Sequence, residues 1–222
     1  MISLRAERPR PADPQTARKA VSDATRPDRR ASRPGQERPS ASGSVHVARN
    51  GEIFRIRPLL PCDRDRLREG FERASRQTRL QRFFRHRNGL GEQELTYLTE
   101  VDQESHVALC AGRVDDRHAT GAAVARFIRD KADSTRAEFA ITVLDEFQGL
   151  GLGTAIMSRL IEEARQRGVT RLWGHVLNDN HGALRWMESL GGDAVFLGDV
   201  FLVSFDVANS DGRLSQRARS PL

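Results

Sequence analysis

"AEFAITVLDEFQGLGLGTAIMSRLIEEARQRG", residues 137–168, decides the fold. It opens as an alternating strand, with Glu138, Ala140 and Thr142 on one face and Phe139, Ile141 and Val143 on the other. It closes as a helix: Ile156, Leu160, Ile161 and Ala164 recur at helical spacing, and Gly168 stops the run. Between them lies a turn, Gln148, Gly149, Leu150, Gly151, Leu152, Gly153 and Thr154. A strand that runs through glycines into a helix makes a place for an anion. The first helical N–H groups lack acceptors, the helix dipole favours negative charge, and glycines allow close main-chain approach. The P-loop pattern is excluded, because no lysine occurs from residue 132 onward. The dinucleotide pattern GxGxxG fails as well, since Gly149, Gly151 and Gly153 alternate. What remains is Gln148-x-x-Gly151-x-Gly153.

Outward from this segment the chain alternates strands and helices. Upstream, "EIFRIRPL" (52–59) reads as a strand, 62–74 and 75–84 as two helices, and 91–101 as a third amphipathic stretch. Residues 106–114, 120–130 and 135–144 read as an antiparallel meander, because their connections are too short for helical crossovers; "DDRHAT" is the first turn. Downstream come a strand at 170–177, a helix within 178–192, and a closing hairpin from "AVFL" and "VFLVSFDV". The strand–helix–strand unit around the glycines requires one parallel pair.

The 222 residues suit one domain with tails. Residues 1–44 hold ten basic and five acidic side chains and are rich in proline, and 208–222 hold three arginines and one aspartate. Both read as disordered, leaving 45–207 as the foldable domain. That domain is near neutral, with 23 basic and 24 acidic residues, so nucleic-acid binding by the fold is not expected. Two cysteines, Cys62 and Cys110, give neither a disulfide framework nor a zinc pattern, and no metal is expected. No apolar run suits a membrane helix and the N-terminus has no secretory signal, so a cytoplasmic protein is expected, with self-association left open.

Gln148-x-x-Gly151-x-Gly153, with "AEFAITV" before it and "NDNHGALRWMESLG" after the next strand, resembles the GCN5-related N-acetyltransferase (GNAT) family. The family signature is Arg/Gln-x-x-Gly-x-Gly/Ala. The resemblance covers about 52–207, and "RPLLPCDRDRL" and "SRQTRLQRFF" look most like bacterial protein-lysine acetyltransferase domains. It implies an α/β fold whose mixed central sheet, an antiparallel meander plus a parallel pair, is flanked by helices. It also implies acetyl-CoA as cosubstrate. The N–H groups from Gly149 to Thr154 would cradle its diphosphate, with Gln148 opening the loop and Thr154 adding a hydroxyl. Ile141, Thr142 and Val143 would pair with the pantetheine arm, and a bulge there would aim an N–H at the thioester. Asn180 would bond the arm, or else serve only as a helix N-cap.

Transfer to an amine of pKa about 10.4 requires a base near the acceptor. Glu138, a carboxylate in an otherwise apolar strand, is the candidate. The other reading makes it a solvent-facing strand residue or an arginine's partner. The tyrosine that often protonates the leaving thiolate in this family falls at Met187 here, and the chain's one tyrosine, Tyr97, lies far upstream. His175 and His181 are weaker substitutes. Nine arginines against three acidic residues in 64–87 suit an acidic protein surface or an anionic acyl acceptor, or reflect only the chain's arginine bias of 34 to 2 over lysine. Three functions stay open: an N-acetyltransferase acting on a protein lysine or a small amine, a non-catalytic acyl-CoA-binding regulatory module, and a basic adaptor.

Overall fold

The computed structural model describes residues 43–114 and 121–208. Most of the two expected tails and the "DDRHAT" turn lie outside them. The strands are β1 (Ser44–Val47), β2 (Ile53–Pro58), β3 (His106–Arg113), β4 (Gly121–Arg129), β5 (Arg136–Val143), β6 (Arg171–Leu177), β7 (Asp193–Phe196) and β8 (Val200–Asp206). The helices are α1 (Arg64–Arg73), α2 (Arg76–Phe83) and α3 (Glu92–Thr99) before the meander. α4 (Leu152–Gln166) and α5 (His181–Ser189) flank β6. Every strand read from the sequence is present. β1 is an addition, and its first residue, Ser44, sits just ahead of the expected domain start.

The strands form one sheet in the order β1-β2-β3-β4-β5-β6-β8-β7. Every neighbouring pair is antiparallel except β5 and β6. That parallel pair lasts only from Arg136↔Arg171 to Glu138↔Trp173, after which the two strands part. The sheet therefore forks beside the glycine turn, and its mixed order with one parallel pair is the one the resemblance implied. The implied bulge is absent: β5 keeps unbroken register with β4 from Ala137 to Val143, and the irregularity falls at Ala111/Gly112 in β3.

Strand alternation divides the sheet chemically. Phe54, Leu109, Phe127, Phe139, Ile141, Leu172 and Phe205 share a buried cluster with Ile156, Met157, Leu160 and Ala164 of α4. Phe139 meets Phe205 edge-on at 5.6 Å. The other face of the meander carries Cys110, Val124, Arg126, Glu138, Ala140 and Thr142, and it is roofed in part by α1 and α2. One face thus supplies the stability, and the other holds charge.

Candidate active site

The turn is built from its anchors. Phe147, buried in a short 3-10 turn at Asp145–Phe147, packs edge-on against Phe54 at 5.5 Å. Asp145 accepts from Ser75 N (2.9 Å), Ser75 Oγ (2.9 Å) and Thr78 Oγ1 (2.8 Å), tying the start of α2 to the turn. Gln148 uses its N–H on Asp145 O and its side-chain amide on Val143 O at 3.1 Å. It braces the turn from inside. Gly149 (φ 75°) and Gly151 (φ 86°) then take the left-handed conformation that disfavours any side chain.

These bends leave a row of donors. Among the described residues, the N–H groups of Gly149, Leu150, Gly151, Leu152, Gly153 and Thr154 have no acceptor, and the first helical bond is Ala155 N–H to Gly151 O at 3.1 Å. Thr154 Oγ1 accepts from Trp186 Nε1 at 3.1 Å and keeps its own proton to donate.

The fork supplies a second set of free groups. Leu144 N–H donates to Ala122 O at 3.0 Å, which fixes the phase of the β4–β5 ladder. Even-numbered residues of β5 therefore turn their main-chain groups toward β4, and odd-numbered ones away from it. Past Glu138 no strand among the described residues lies on that second side, so there Ile141 and the N–H of Val143 face the gap. Thr142 turns its main chain toward β4, and its side chain lines a cavity on the charged face. On the far side of the fork, Asn180 caps α5 by accepting from Ala183 N at 3.2 Å. Its Nδ2 is buried with no partner among the described residues. The N-cap reading of Asn180 is satisfied, and half of the amide is left over.

The cavity, about 310 Å³, lies between α1–α2 and the charged face of β2 to β5. Phe71, Arg79 and Arg82 look onto it from the helices, and Arg126, Ala140 and Thr142 from the sheet. Glu138 is half-buried two residues along the same face from Ala140, opposite Ile128 and beside Trp173. It lies just beyond the lining, close enough to interact electrostatically with Arg82 and Tyr97. Tyr97, remote in sequence, thus belongs to the Glu138 cluster. Met187, by contrast, is buried in α5 and offers no proton. His175 stands edge-on to Trp173 and His181 opens α5, both away from this cavity.

Several residues of the site were not singled out in sequence. Arg126 is 2 % exposed and donates Nη1 to Leu98 O (3.2 Å) and to His106 Nε2 (3.1 Å). A guanidinium can only donate, so His106 Nε2 is the acceptor and the ring is neutral. Burial, and then the Arg126 charge, push the His106 pKa down to about 4. The signal for Arg126 was the one that marked Glu138, a charge within an apolar strand, "AVARFI". β1 and the turn that follows it bring two further residues to the glycine turn. Arg49 N–H donates to Leu150 O at 3.2 Å, and His46 Nε2 lies 3.6 Å from where a Cβ on Gly151 would stand.

The neutral His106 makes acid sensitivity predictable. Its folded pKa lies below the unfolded value of 6.5, so between pH 6.5 and 4 the unfolded chain binds the extra proton. Stability therefore falls as pH drops through that window, by on the order of 3 kcal/mol from this group. Urea unfolding at pH 7 and pH 4.5 measures the loss, and His106→Gln should flatten it. An equal loss in that variant would assign the sensitivity to the carboxylates instead.

A mixed sheet that forks after one short parallel pair, with a glycine-built row of free N–H groups at the fork, is the architecture of an acetyltransferase-type fold. Residues 65–191 match the acetyltransferase (GNAT) family, and the chain belongs to it. It is 38% identical over 145 residues to the acetyltransferase Pat of Mycolicibacterium smegmatis, a stretch covering 64% of this chain and 42% of Pat. The chain thus spans less than half the length of that relative. The crystal structure of the GNAT domain of S. lividans PAT superposes with a TM-score of 0.70 at 27% identity, over 77% of this chain and 99% of that one. The yncA acetyltransferase of Salmonella typhimurium, solved with acetyl-CoA, shares the fold at a TM-score of 0.55 and 18% identity. That superposition covers 72% of this chain and 97% of yncA. Among the described residues no helix is long and apolar enough to cross a membrane.

Proposed function

We propose that the protein transfers an acetyl group from acetyl-CoA to a primary amine, either a protein lysine or a small-molecule amine, with Glu138 as general base. One observation carries the reading: six adjacent main-chain donors without acceptors, next to a strand edge without a partner. Free N–H groups at a glycine-opened helix start form a ready anion site. The donors from Gly149 to Thr154 suit a diphosphate, and the free edge at Ile141 and Val143 suits the amides of a pantetheine arm. The orphaned Asn180 Nδ2 suits a carbonyl on that arm.

When bound, acetyl-CoA supplies the activated acetyl group as a thioester. The Val143 N–H would stabilise negative charge on the acyl oxygen, an effect of roughly 3–4 kcal/mol where single donors have been removed elsewhere. Glu138 would take the amine proton, and its place just beyond the cavity lining favours relay through one water. With Met187 buried at the position where the family often has tyrosine, the thiolate would leave unaided, which a thiol of pKa about 8.5 permits.

Acetyl-CoA at about 100 times its Kd should stabilise the fold by roughly 2.7 kcal/mol. Mass spectrometry after incubation with acetyl-CoA and cell extract should find acetylated products. The absence of both effects would end the reading.

A further inference from the structure

The cavity beside β5 holds more positive charge than its own carboxylates balance. Among the described residues Asp63 is the one acidic residue lining it, and it is committed: Arg57 grips both of its oxygens at 2.6 Å and Arg66 adds a contact at 3.0 Å. Arg113 is paired with Glu52. Arg55 is exposed at the mouth, which leaves Arg79, Arg82 and Arg126 along the inner wall.

Arg82 is 8 % exposed and Arg126 only 2 %, and their charges repel each other. Burial lowers both pKa values, to about 10 and about 9, yet both groups stay charged at neutral pH. Arg82 has no hydrogen-bond acceptor among the described residues. Its guanidinium lies over the Phe83 ring, and its nearest negative influence is Glu138. Arg126 spends one nitrogen on Leu98 O and His106, and its remaining donors have no acceptor among the described residues. Arg79, one turn from Arg82 on α2, has a buried Nε without a partner. Buried cations normally have both a counter-charge and hydrogen bonds. Here three donor forks border one open space.

We propose that this space is the acceptor pocket and that it takes an amine carrying a carboxylate, held by Arg79, Arg82 and Arg126. A guanidinium fork matches a carboxylate in two parallel bonds, so the acid would fix the direction in which the amine points. Thr142 and Ala140 lie on the same wall, next to the free edge of β5. A volume of about 310 Å³ suits a group of amino-acid size. The word acceptor rests on the transferase reading; the anion site does not.

The test uses the full chain with coenzyme A at saturation, so that the glycine turn does not capture the probe. Glutarate and its neutral isostere glutaramide are titrated calorimetrically. Glutarate should bind at least about tenfold tighter, as a charge-assisted pair requires, and Arg79→Gln should cut that preference severalfold. Arg82→Gln should do the same wherever its melt shows it folded. Equal affinities, or no binding of either probe, would overturn the proposal, as would a preference that both variants leave intact. Transfer assays then separate the sources of the acid. A preference for 4-aminobutyrate over 4-aminobutanamide identifies a small acceptor, and a preference for a lysyl peptide flanked by Glu over Gln identifies a protein one. Glutarate binding in a protein that fails to bind coenzyme A would sink the transferase reading and leave the anion site standing.

Discussion

Glu138→Gln lowers the rate of acetyl transfer by about 10²- to 10⁴-fold near neutral pH, the range expected when a positioned base is lost, and leaves acetyl-CoA affinity within about twofold of the parent, a small change for a residue off the cofactor path. The size follows from the acceptor, because an amine of pKa about 10.4 is less than about one part in a thousand neutral at pH 7. The selectivity follows from the strand. Glu138 is the last residue of β5 paired to β6, and the free edge begins only past it, at Ile141 and Val143. The even–odd phase of the ladder keeps the Glu138 side chain on the charged face, away from the free N–H donors at the head of α4. Glutamine keeps the shape but removes the basicity and the negative charge nearest the buried Arg82, so some loss of stability should accompany the loss of rate and is measured separately. The measurements are release of free coenzyme A with the best acceptor found and thermal stabilisation by acetyl-CoA. Unchanged turnover would remove Glu138 from the chemistry.

The parts of the site that depend on neighbours in sequence were legible there. The glycine turn is one, because positive φ at Gly149 and Gly151 and free N–H groups at a helix start are local properties. The parallel pair is another, because a helical crossover between β5 and β6 dictates parallel pairing. β1 was not legible: "SVHV" is four residues long, and its valines are 61 % and 62 % exposed, so it leaves no core pattern to read. The arginine trio was hidden differently. Arg79 and Arg82 come from α2, where neither stands out among 34 arginines, and Arg126, a charge within an apolar strand, comes from β4 with nothing local to join it to them. Only packing distinguishes a buried, unmatched guanidinium from a solvated one. Tyr97 makes the same point, since α3 brings it to Glu138 from more than forty residues upstream.

Gly153→Val abolishes the stabilisation by acetyl-CoA, weakening binding by more than about 100-fold (roughly 2.7 kcal/mol at 25 °C), and costs the empty protein about 1–3 kcal/mol, as overpacking does. Gly153 differs from the two glycines before it. Gly149 and Gly151 are needed for their left-handed backbone, and a Cβ on Gly149 would meet nothing within 4 Å. Gly149→Ala should therefore cost only about 1–2 kcal/mol of backbone strain. A Cβ on Gly153 would lie 3.3 Å from Trp186 Cζ2 and 3.5 Å from Val143 Cγ2. Trp186 cannot easily yield, because its Nε1 is bonded to Thr154 Oγ1. Val143 cannot either, because it ends β5 in register with Ala123 and its carbonyl holds Gln148. The two methyls of valine would lever the first turn of α4 off the strand, separating the row of N–H donors from the free edge of β5. A ligand that spans both loses the simultaneous fit, while the helix, anchored by Ile156, Leu160 and Ala164, stays folded. Chemical denaturation with and without acetyl-CoA gives both numbers from one preparation. Undiminished stabilisation of Gly153→Val by acetyl-CoA would mean that the cofactor grips the chain somewhere other than this turn.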